Sequence, residues 1–406
     1  MNSRLKYIVV SASTCLTALL LIGSLLGKGA STQEDTLKHI GVFSDVVARI
    51  KAEYVEEPDM KAVTLGALNG MLEAIDPFAS YLNADQYANY LESKKTPKTG
   101  DVGLILSKKF GYVGVVAAVP GSPAAKAGFT TDDMIESIKG IATRDMPLAY
   151  AALLLQGEPG TTIDLGVVRV RQPEPQTIKL TRESMEPPPV TSSMLPGQVG
   201  YVNIDALGPA QVKQTADAVQ KLQKDGAQKL IVDVRNCAVG SPEDGIALAN
   251  LFLNKGLITY LQGQRVTRQD FQADPSKAIT ALPMAVLTNK GTASGAEVAA
   301  AALQDNKRAQ LVGDRTYGDA ALRKAIAMDD GGAIILSVAK YYSPNGKAIQ
   351  DAPIAPGTLV AEPEPQFDYD ENGEPIPQAQ PQPGEQPKTP EDPVVKKALE
   401  LLGAKA

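Results

Sequence analysis

The residues that could carry out covalent chemistry lie between Asn289 and Ala320, in NKGTASGAEVAAAALQDNKRAQLVGDRTYGDA. A Gly-rich turn places Ser294 at the start of an Ala-rich run with high helix propensity. A helix start presents unpaired N–H groups and a positive dipole end, which favour the negative charge that develops in acyl transfer. The same serine forms a capping-box pattern with Glu297, and a capping box does no chemistry. On this stretch alone a capping serine is the favoured interpretation, because capping serines greatly outnumber nucleophiles.

Composition argues against several other kinds of site. The chain of 406 residues has one histidine, His39, which argues against a Ser-His-Asp triad, a Cys-His pair and a His-rich metal site. Two cysteines, Cys15 and Cys237, are too few for a thiolate zinc cluster. The net charge of -6 argues against a nucleic-acid partner, which would require a basic face. We therefore predict no metal site and no cofactor.

An apolar segment, residues 7–27, follows the basic residues Arg4 and Lys6. It is long for the core of a signal peptide and long enough to span a bilayer. Residues 1–30 are therefore predicted to be a secretory leader that is either cleaved near Ala30 or retained as an anchor. We expect an exported protein of the cell envelope, periplasmic or otherwise extracytoplasmic. Attachment to the inner membrane stays open as an alternative. A disulfide between Cys15 and Cys237 is not expected, because Cys15 lies inside this membrane-type segment.

Residues 34–95 are predicted to form a helical N-terminal arm. Apolar residues recur there at helical spacing, beginning with Leu37, Ile40 and Phe43. The motif DPFASYL, residues 76–82, interrupts the helices. The arm is interpreted as a packing element or a homodimer contact, and a plain helical subdomain is an equally good interpretation.

The pattern changes to short alternating strands over residues 96–183. The segment VVAAVPGSPAAKAGFTTDDMIESIKGIA resembles the core of a PDZ domain. Such domains add a peptide C-terminus as a strand at a sheet edge, and loop amides hold the carboxylate. The resemblance implies peptide binding by a loop and strand of four residues: Gly103, Leu104, Ile105 and Leu106. A small β-barrel without a ligand is the alternative.

Strands alternate with helices over residues 190–360, which predicts a largely parallel sheet with sites at the strand C-terminal ends. Two buried strands end just before Asn236 and the Ser294 turn, so these two turns are expected to face each other. Residues 361–392 are rich in Pro, Glu and Gln and are predicted to be a linker. Residues 393–406 form a final short helix, for which a loose tail is the default and docking the alternative.

The ordered sequence blocks are more specific than any single motif. DPFASYL, the PDZ insertion, GQVGYVNIDAL, KLIVDVRN, PMAVLTNKGTASGAE and SVAKYYSPNGKAIQ follow one another along the chain. Together they resemble the carboxyl-terminal processing peptidases, the tail-specific proteases of peptidase family S41. The resemblance implies an α+β and α/β multidomain fold. Its parts would be a helical arm, a β-rich PDZ domain and a ClpP/crotonase-like α/β protease core.

The resemblance also implies roles for individual residues. In that family a serine attacks the peptide carbonyl, a lysine is the general base and a glutamine orients the lysine. These positions fall on Ser294, Asp319 and Arg323. A Gly-rich turn of the NNPGG type becomes NCAVG here, residues 236–240. The oxyanion candidates are Val239, Gly240 and Gly295.

Three departures from the family pattern bear on activity. Asp319 is a weaker base than lysine, since an unperturbed aspartate titrates near ~3.9. Arg323 stays protonated, so it is expected to pair with Asp319 rather than to act as a base. Val239 places a β-branched side chain where a glycine amide is expected, and one lost oxyanion donor typically costs ~10²–10³ in rate. Lys290 and Lys324 are the nearby lysines, and Lys324 is expected to point away.

Three functional hypotheses follow from these residues. The favoured one is an exported, PDZ-bearing protein that binds C-terminal protein tails, with lost or weak proteolysis. The alternative is an active serine endopeptidase that cleaves near protein C-termini with a non-standard base. A third is a structural oligomer built through the helical arm.

Overall fold

The computed structural model describes residues 37–96, 99–144, 146–169, 172–350, 352–362 and 392–404. The predicted leader and residues 363–391 of the predicted linker lie outside these ranges. Within them, no helix has the length and apolar character needed to cross a bilayer. The chain divides into two units, Met1–Ala67 and Leu68–Ala406.

The first unit is helical where it is described. Residues 37–53 form helix α1, and α2 (Met60–Glu73) begins before the unit ends. This confirms the helical N-terminal region. Apolar side chains of α1, among them Leu37, Ile40 and Val46, are exposed. None of residues 37–67 is buried, so the described part of this unit contains no hydrophobic core.

The second unit begins with a short strand, a helix and the PDZ domain. Its elements are β1 (Ser80–Leu82), α3 (Ala84–Lys95), β2 (Gly100–Asp101), β3 (Leu104–Lys109), β4 (Tyr112–Ala118), α4 (Pro123–Lys126), β5 (Met134–Ile138), β6 (Ile141–Ala142), α5 (Leu148–Leu155), β7 (Thr162–Arg169), β8 (Gln172–Thr181) and β9 (Glu183–Ser184). The main antiparallel sheet has the order β3-β4-β5-β7-β8, which leaves β3 at an edge. Buried Val113, Ile135 and Leu165 form its core with α5. The predicted PDZ domain is confirmed.

Strand β1 lies within DPFASYL, the motif that was predicted to interrupt the helices of the N-terminal arm. Ser80 and Leu82 pair with Ile335 and Ala333 of the protease core, so this part of DPFASYL is a strand of the core. Leu82 is fully buried, and α3 begins directly after it. A short apolar run beside a proline gives little periodic signal, and the pairing partner lies far along the chain.

The protease core follows the PDZ domain. Its elements are β10 (Thr191–Leu195), β11 (Val199–Asn203), α6 (Pro209–Lys224), β12 (Lys229–Asp233), α7 (Pro242–Asn250), β13 (Leu257–Gln262), β14 (Gln269–Gln272), a 3₁₀ turn (Pro275–Lys277), β15 (Met284–Thr288), α8 (Gly295–Asp305), β16 (Gln310–Gly313), β17 (Ala321–Ala327), β18 (Ala333–Tyr342), β19 (Thr358–Leu359) and α9 (Pro393–Leu401). One sheet has the order β10-β11-β12-β15-β16-β19, parallel except for β10. An antiparallel sheet has the order β1-β18-β13-β14, with β17 also on β18.

The parallel sheet brings the two predicted turns together. Strands β12 and β15 are nearly continuous apolar runs because both of their faces are covered, as in other buried parallel sheets. They are neighbours in register, with Asp233 opposite Leu287. Beyond their ends, the Ala293 N–H donates to the Cys237 carbonyl at 3.0 Å. The prediction that these turns face each other is confirmed.

The C-terminal helix α9 is docked, so the default prediction of a loose tail is wrong. Val394, Ala398 and Leu399 are buried against apolar residues of the parallel sheet, including Ala285 and Val312. Burial of three side chains at helical spacing outweighs the entropy of ordering a short segment. The sequence shows the helical spacing of the apolar residues in α9, but it does not show which surface of the core α9 packs against.

Helices α7 and α8 touch at a pair of glycines, and this contact yields a test of the packing. A Cβ at Gly245 would overlap the Gly295 carbonyl oxygen, a backbone atom of the nucleophile helix. We expect Gly245→Ala to lower the free energy of unfolding by about 1–3 kcal/mol, because one helix must shift. Urea unfolding measures this change.

Gly70→Ala is the matched control for this prediction. Gly70 lies in α2 and a Cβ there would meet no atom within 4 Å. Alanine should therefore raise stability by about 0.5–1 kcal/mol through its helix propensity. Equal stability of Gly245→Ala and the unmodified chain would contradict the close glycine contact.

Candidate active site

Ser294 occupies the tip of a sharp turn between β15 and α8. Its backbone has φ 54° and ψ −121°, which an L-residue rarely adopts. Such a conformation costs of order 1–3 kcal/mol and persists only where the surroundings impose it. A strained serine between a strand and a helix is also the geometry of a nucleophile elbow. Sequence reasoning could not supply this signal, because the strain appears only in the backbone angles.

The buried carboxylate of Glu297 connects this turn to the Asp319 turn. It accepts hydrogen bonds from the N–H groups of Ser294 (3.2 Å), Gly318 (2.7 Å) and Asp319 (2.7 Å). Only the glutamate half of the predicted capping box is present, because the Glu297 N–H donates to the Ser294 carbonyl at 3.1 Å and the Ser294 side chain makes no cap hydrogen bond. Its glutamate does more than cap, since it fixes the backbone of both turns. Sequence reasoning missed the second half of this role, because residues 318 and 319 are far from Glu297 in sequence.

The contacts of Glu297 fit the ionised form. Burial raises the pKa of Glu297 to about 8, while hydrogen bonds from Thr316, Asp319 and Gly318 act in the opposite direction. The Thr316 hydroxyl already accepts from the Ile354 N–H at 2.8 Å, so its own proton is directed to Glu297. The negative charge of Asp319 acts with burial to raise the pKa, but all four hydrogen-bonding neighbours donate, and from these donors we assign the carboxylate form to Glu297.

The Ser294 hydroxyl donates to the Gly240 carbonyl at 2.9 Å. A backbone carbonyl accepts a hydrogen bond but cannot remove the proton. In the described part of the chain, neither a lysine amine nor a carboxylate hydrogen-bonds to this hydroxyl. The serine has the backbone of a nucleophile, and among the described residues its hydroxyl is hydrogen-bonded to a backbone carbonyl.

The predicted oxyanion residues lie beside the serine but present a carbonyl to it. Gly240 has φ 129°, and a Cβ there would collide with Leu207. The Leu207 N–H holds the Val239 carbonyl at 2.8 Å. Gly295 opens helix α8 directly after the serine. An oxyanion hole needs N–H donors aimed at the developing charge. Gly240 instead directs its carbonyl oxygen, an acceptor, at the serine hydroxyl.

Asp319 and Arg323 form the ion pair expected from their charges. The Arg323 guanidinium also lies 4.2 Å from the centroid of the Phe78 ring and 3.4 Å from the Gln350 side-chain oxygen. Its Nε is buried, with no acceptor among the described residues. The Asp319–Arg323 pair thus has an aromatic ring against the guanidinium.

Neither neighbouring lysine replaces the base. The Lys290 amine is 3.6 Å from Asp132 of the PDZ domain, and 53% of its side chain is exposed. Lys324 is exposed on β17, as expected. Asp132 is also paired with Lys109 at 2.7 Å. These contacts turn Lys290 toward the PDZ domain.

The PDZ domain contacts both active-site turns. Ile105 packs with Val116 and Ala117 against Ala238 and Ala293. The neighbouring cleft, of about 300 Å³, has a wall that combines aromatic and charged side chains, among them Phe78, Ser107, Lys109, Asp132 and Tyr317. The PDZ edge strand β3 and the turn before Asp319, through Tyr317 and Gly318, therefore border the same cleft.

The residues predicted to bind peptide differ in their surroundings. Gly103 has φ 79° and donates its N–H to the Asp101 carboxylate at 2.7 Å. Leu104 belongs to the buried PDZ core, whereas Leu106 packs on the edge of that core. Their strand, β3, lies at the edge of the sheet near α5. The backbone edge, more than these side chains, is the feature that a peptide strand could use.

Comparison with known proteins agrees with this architecture. The model for peptidase family S41 matches residues 198–360, and a PDZ domain model matches residues 114–169. The carboxyl-terminal-processing protease of Synechocystis is 34% identical over 322 residues, which cover 77% of this chain and 75% of that protein. The carboxy-terminal processing protease CtpA of Bacillus subtilis is 29% identical over 360 residues, 87% of this chain and 76% of that protein.

A solved structure gives the same result. The photosystem II D1 C-terminal processing protease aligns with a TM-score of 0.65 and 28% identity, covering 77% of this chain and 85% of that one. A strained serine at the end of a parallel strand, a PDZ domain beside it and these similarities point to one conclusion. The chain belongs to peptidase family S41, as a homologue of the carboxyl-terminal processing proteases with a PDZ domain.

Proposed function

We propose that this chain is an exported member of the family that binds the C-terminal tails of proteins and has weak or no proteolytic activity. One observation carries the proposal. The Asp319–Arg323 ion pair occupies the base position while the Ser294 hydroxyl donates to a backbone carbonyl. A serine hydroxyl without an adjacent base is a poor nucleophile.

Two details of the pair support loss of the base. The Asp319 carboxylate is already engaged by the guanidinium, so a serine proton would have to compete for it. Arg323 is also held over the Phe78 ring, which restricts its movement away from the site. The Gly240 carbonyl adds an acceptor where a transition state would require a donor.

An active endopeptidase with a non-standard base is the second candidate, and two observations favour it. Ser294 keeps a strained backbone that a capping serine does not need. Glu297 keeps the Ser294 and Asp319 turns connected, as a working site would require. The two candidates differ in the reactivity of one hydroxyl, which can be measured directly.

Tail binding is supported by the PDZ domain and its edge strand β3, to which Gly103–Leu106 contribute. Several relatives are named as carboxyl-terminal processing proteases, which act at protein C-termini by their names. We infer that a free carboxyl-terminal peptide adds to β3 next to the serine turn.

Location and assembly are part of the same proposal. The leader predicted at residues 1–30 supports export to a periplasmic or other extracytoplasmic compartment, with membrane attachment if it is retained. The exposed apolar side chains of α1, including Phe43 and Val46, support a homodimer contact. A stripe of this kind on a helix without a core needs a partner surface.

The first prediction concerns the reactivity of Ser294 toward a fluorophosphonate probe. We expect the unmodified chain to be labelled no faster than Ser294→Ala. A triple variant, Asp319→Lys with Arg323→Gln and Val239→Gly, should be labelled at least ~10²-fold faster, since it regains a base and the glycine of the oxyanion turn. Rates are read from labelled protein over time.

The outcome that would overturn the proposal is equally direct. Rapid, stoichiometric labelling of the unmodified chain, abolished by Ser294→Ala, would establish the active-enzyme alternative. Lys324→Gln is the matched control, because it removes an exposed charge next to Arg323 and should leave all labelling rates unchanged.

A second prediction concerns tail peptides. Fluorescence anisotropy with labelled peptides should show binding that requires a free C-terminal carboxylate. Amidation of the same peptides should weaken binding at least ~10-fold, because a charge-assisted hydrogen bond is lost. Equal binding of both forms would contradict recognition of C-termini by the PDZ domain.

A third prediction concerns assembly. Analytical ultracentrifugation of the full chain should show a dimer that dissociates in a Phe43→Ser, Val46→Ser double variant, since the variant removes apolar area from the contact. Lys38→Ser on the same helix is the control and should keep the dimer. A monomeric unmodified chain would exclude the α1 contact.

A further inference from the structure

One guanidinium near the active site binds three carboxylates. Arg235 directly precedes Asn236 of the oxyanion turn, and 15% of its side chain is exposed. It donates to Asp233 through Nε (2.9 and 3.0 Å) and Nη2 (2.6 Å). Nη1 donates to Glu362 at 2.9 Å and Nη2 to Asp392 at 2.7 Å. Glu362 and Asp392 both belong to the C-terminal segment, residues 358–362 and 392–404.

The second oxygen of Glu362 reaches the amide that joins the two active-site turns. It accepts from Asn289 Nδ2 at 2.9 Å. Asn289 is 6% exposed and its Oδ1 accepts from the N–H groups of Asn236 (2.9 Å) and Gly291 (3.0 Å). Its Nδ2 also donates to Asn236 Oδ1 at 3.0 Å. Glu362 thus bridges the arginine before the oxyanion turn and the asparagine before the serine turn.

The C-terminal segment is attached independently of these ion pairs. Strand β19 pairs with β16, and α9 buries Val394 and Ala398 on the parallel sheet. Asp392 also caps α9, accepting from the N–H groups of Val394 (2.9 Å) and Val395 (3.2 Å). The ion pairs are therefore not needed to hold the segment to the core, and partly exposed pairs add little stability. The geometry of these ion pairs instead bears on the position of the turns that Arg235 and Asn289 precede.

We propose that the C-terminal segment is an intramolecular clamp that sets the position of the oxyanion turn. Glu362 and Asp392 are positioning residues that act through Arg235 and Asn289, and neither touches the reacting serine. The clamp is independent of the proposed function, because it concerns the placement of the turn whether or not Ser294 reacts. The three carboxylates carry more charge than the one guanidinium, so a net negative charge remains beside Arg235. Neutralising one carboxylate therefore changes the local charge as well as the hydrogen bonds.

The oxyanion turn contains its own reporter. Cys237 is a free thiol with no exposed area. Its carbonyl accepts from the Ala293 N–H of the serine turn, and its side chain is buried in the core of the protease domain. A buried thiol reacts with a disulfide reagent only when its surroundings open, which makes the rate a measure of local opening. Cys15, the other cysteine of the sequence, is replaced by alanine throughout.

The experiment follows the reaction of Cys237 with Ellman's reagent in the folded, full-length Cys15→Ala chain. The test variant carries Glu362→Gln and Asp392→Asn, and asparagine keeps the cap of α9. We expect Cys237 to react at least ~10-fold faster, since hydrogen bonds to charged groups are lost. Glu400→Gln is the matched control: it neutralises an exposed acid of α9 paired with Lys397, and its rate should stay within about twofold.

Urea unfolding of each variant separates local opening from loss of global stability. The clamp predicts a rate increase larger than the change in the global unfolding constant. An increase no larger than that change, or a rate equal to the Glu400→Gln control, would overturn it. The single variants Glu362→Gln and Asp392→Asn give the same comparison if the double variant does not fold, each with an intermediate increase.

Discussion

Four donors converge on the carboxylate of Glu297, and the geometry of the active site depends on that convergence. The N–H groups of Ser294, Gly318 and Asp319 and the Thr316 hydroxyl all point at a side chain with no exposed area. A buried charge is tolerated only when its hydrogen-bonding capacity is filled. Glu297 therefore fixes three parts of the site together: the strained serine, the chain after β16 and the chain before β17. Changes at position 319 leave this arrangement intact, because Asp319 contributes its backbone.

The backbone and the side chain of Asp319 have separate partners. The main chain of the Asp319 turn is held by Glu297, whereas its side chain is free to pair with Arg323. The guanidinium in turn stacks on Phe78, a residue of the DPFASYL motif. The buried Arg323 Nε has no hydrogen-bond acceptor among the described residues, which lowers the stability of this arrangement. The pair fills the site well enough to be stable and leaves the serine hydroxyl on a carbonyl.

Two separate parts of the chain rest against the active-site turns. The PDZ domain contributes Ile105, in apolar contact with Ala238 and Ala293. The C-terminal segment contributes Glu362, in polar contact with Asn289. These contacts fall on different residues of the same two turns. The apolar contact tolerates small changes in packing, whereas the hydrogen bonds of Asn289 fix the distances between the atoms that they join.

The sequence by itself determined the elements, the family and the positions that carry chemistry. Period-two and period-3.6 patterns placed most strands and helices, and ordered blocks placed Ser294, Asp319 and Arg323. The ion pair between the last two also followed from their charges. Short pairings such as β1 on β18 did not, because a three-residue strand has no periodic signal of its own. Tertiary structure alone decided the strain at Ser294, the hydrogen bond of its hydroxyl to Gly240, the shared carboxylate of Glu297 and the docking of α9 with Glu362 and Asp392 on Arg235. Each of these joins residues distant in sequence, and no local preference specifies such a contact.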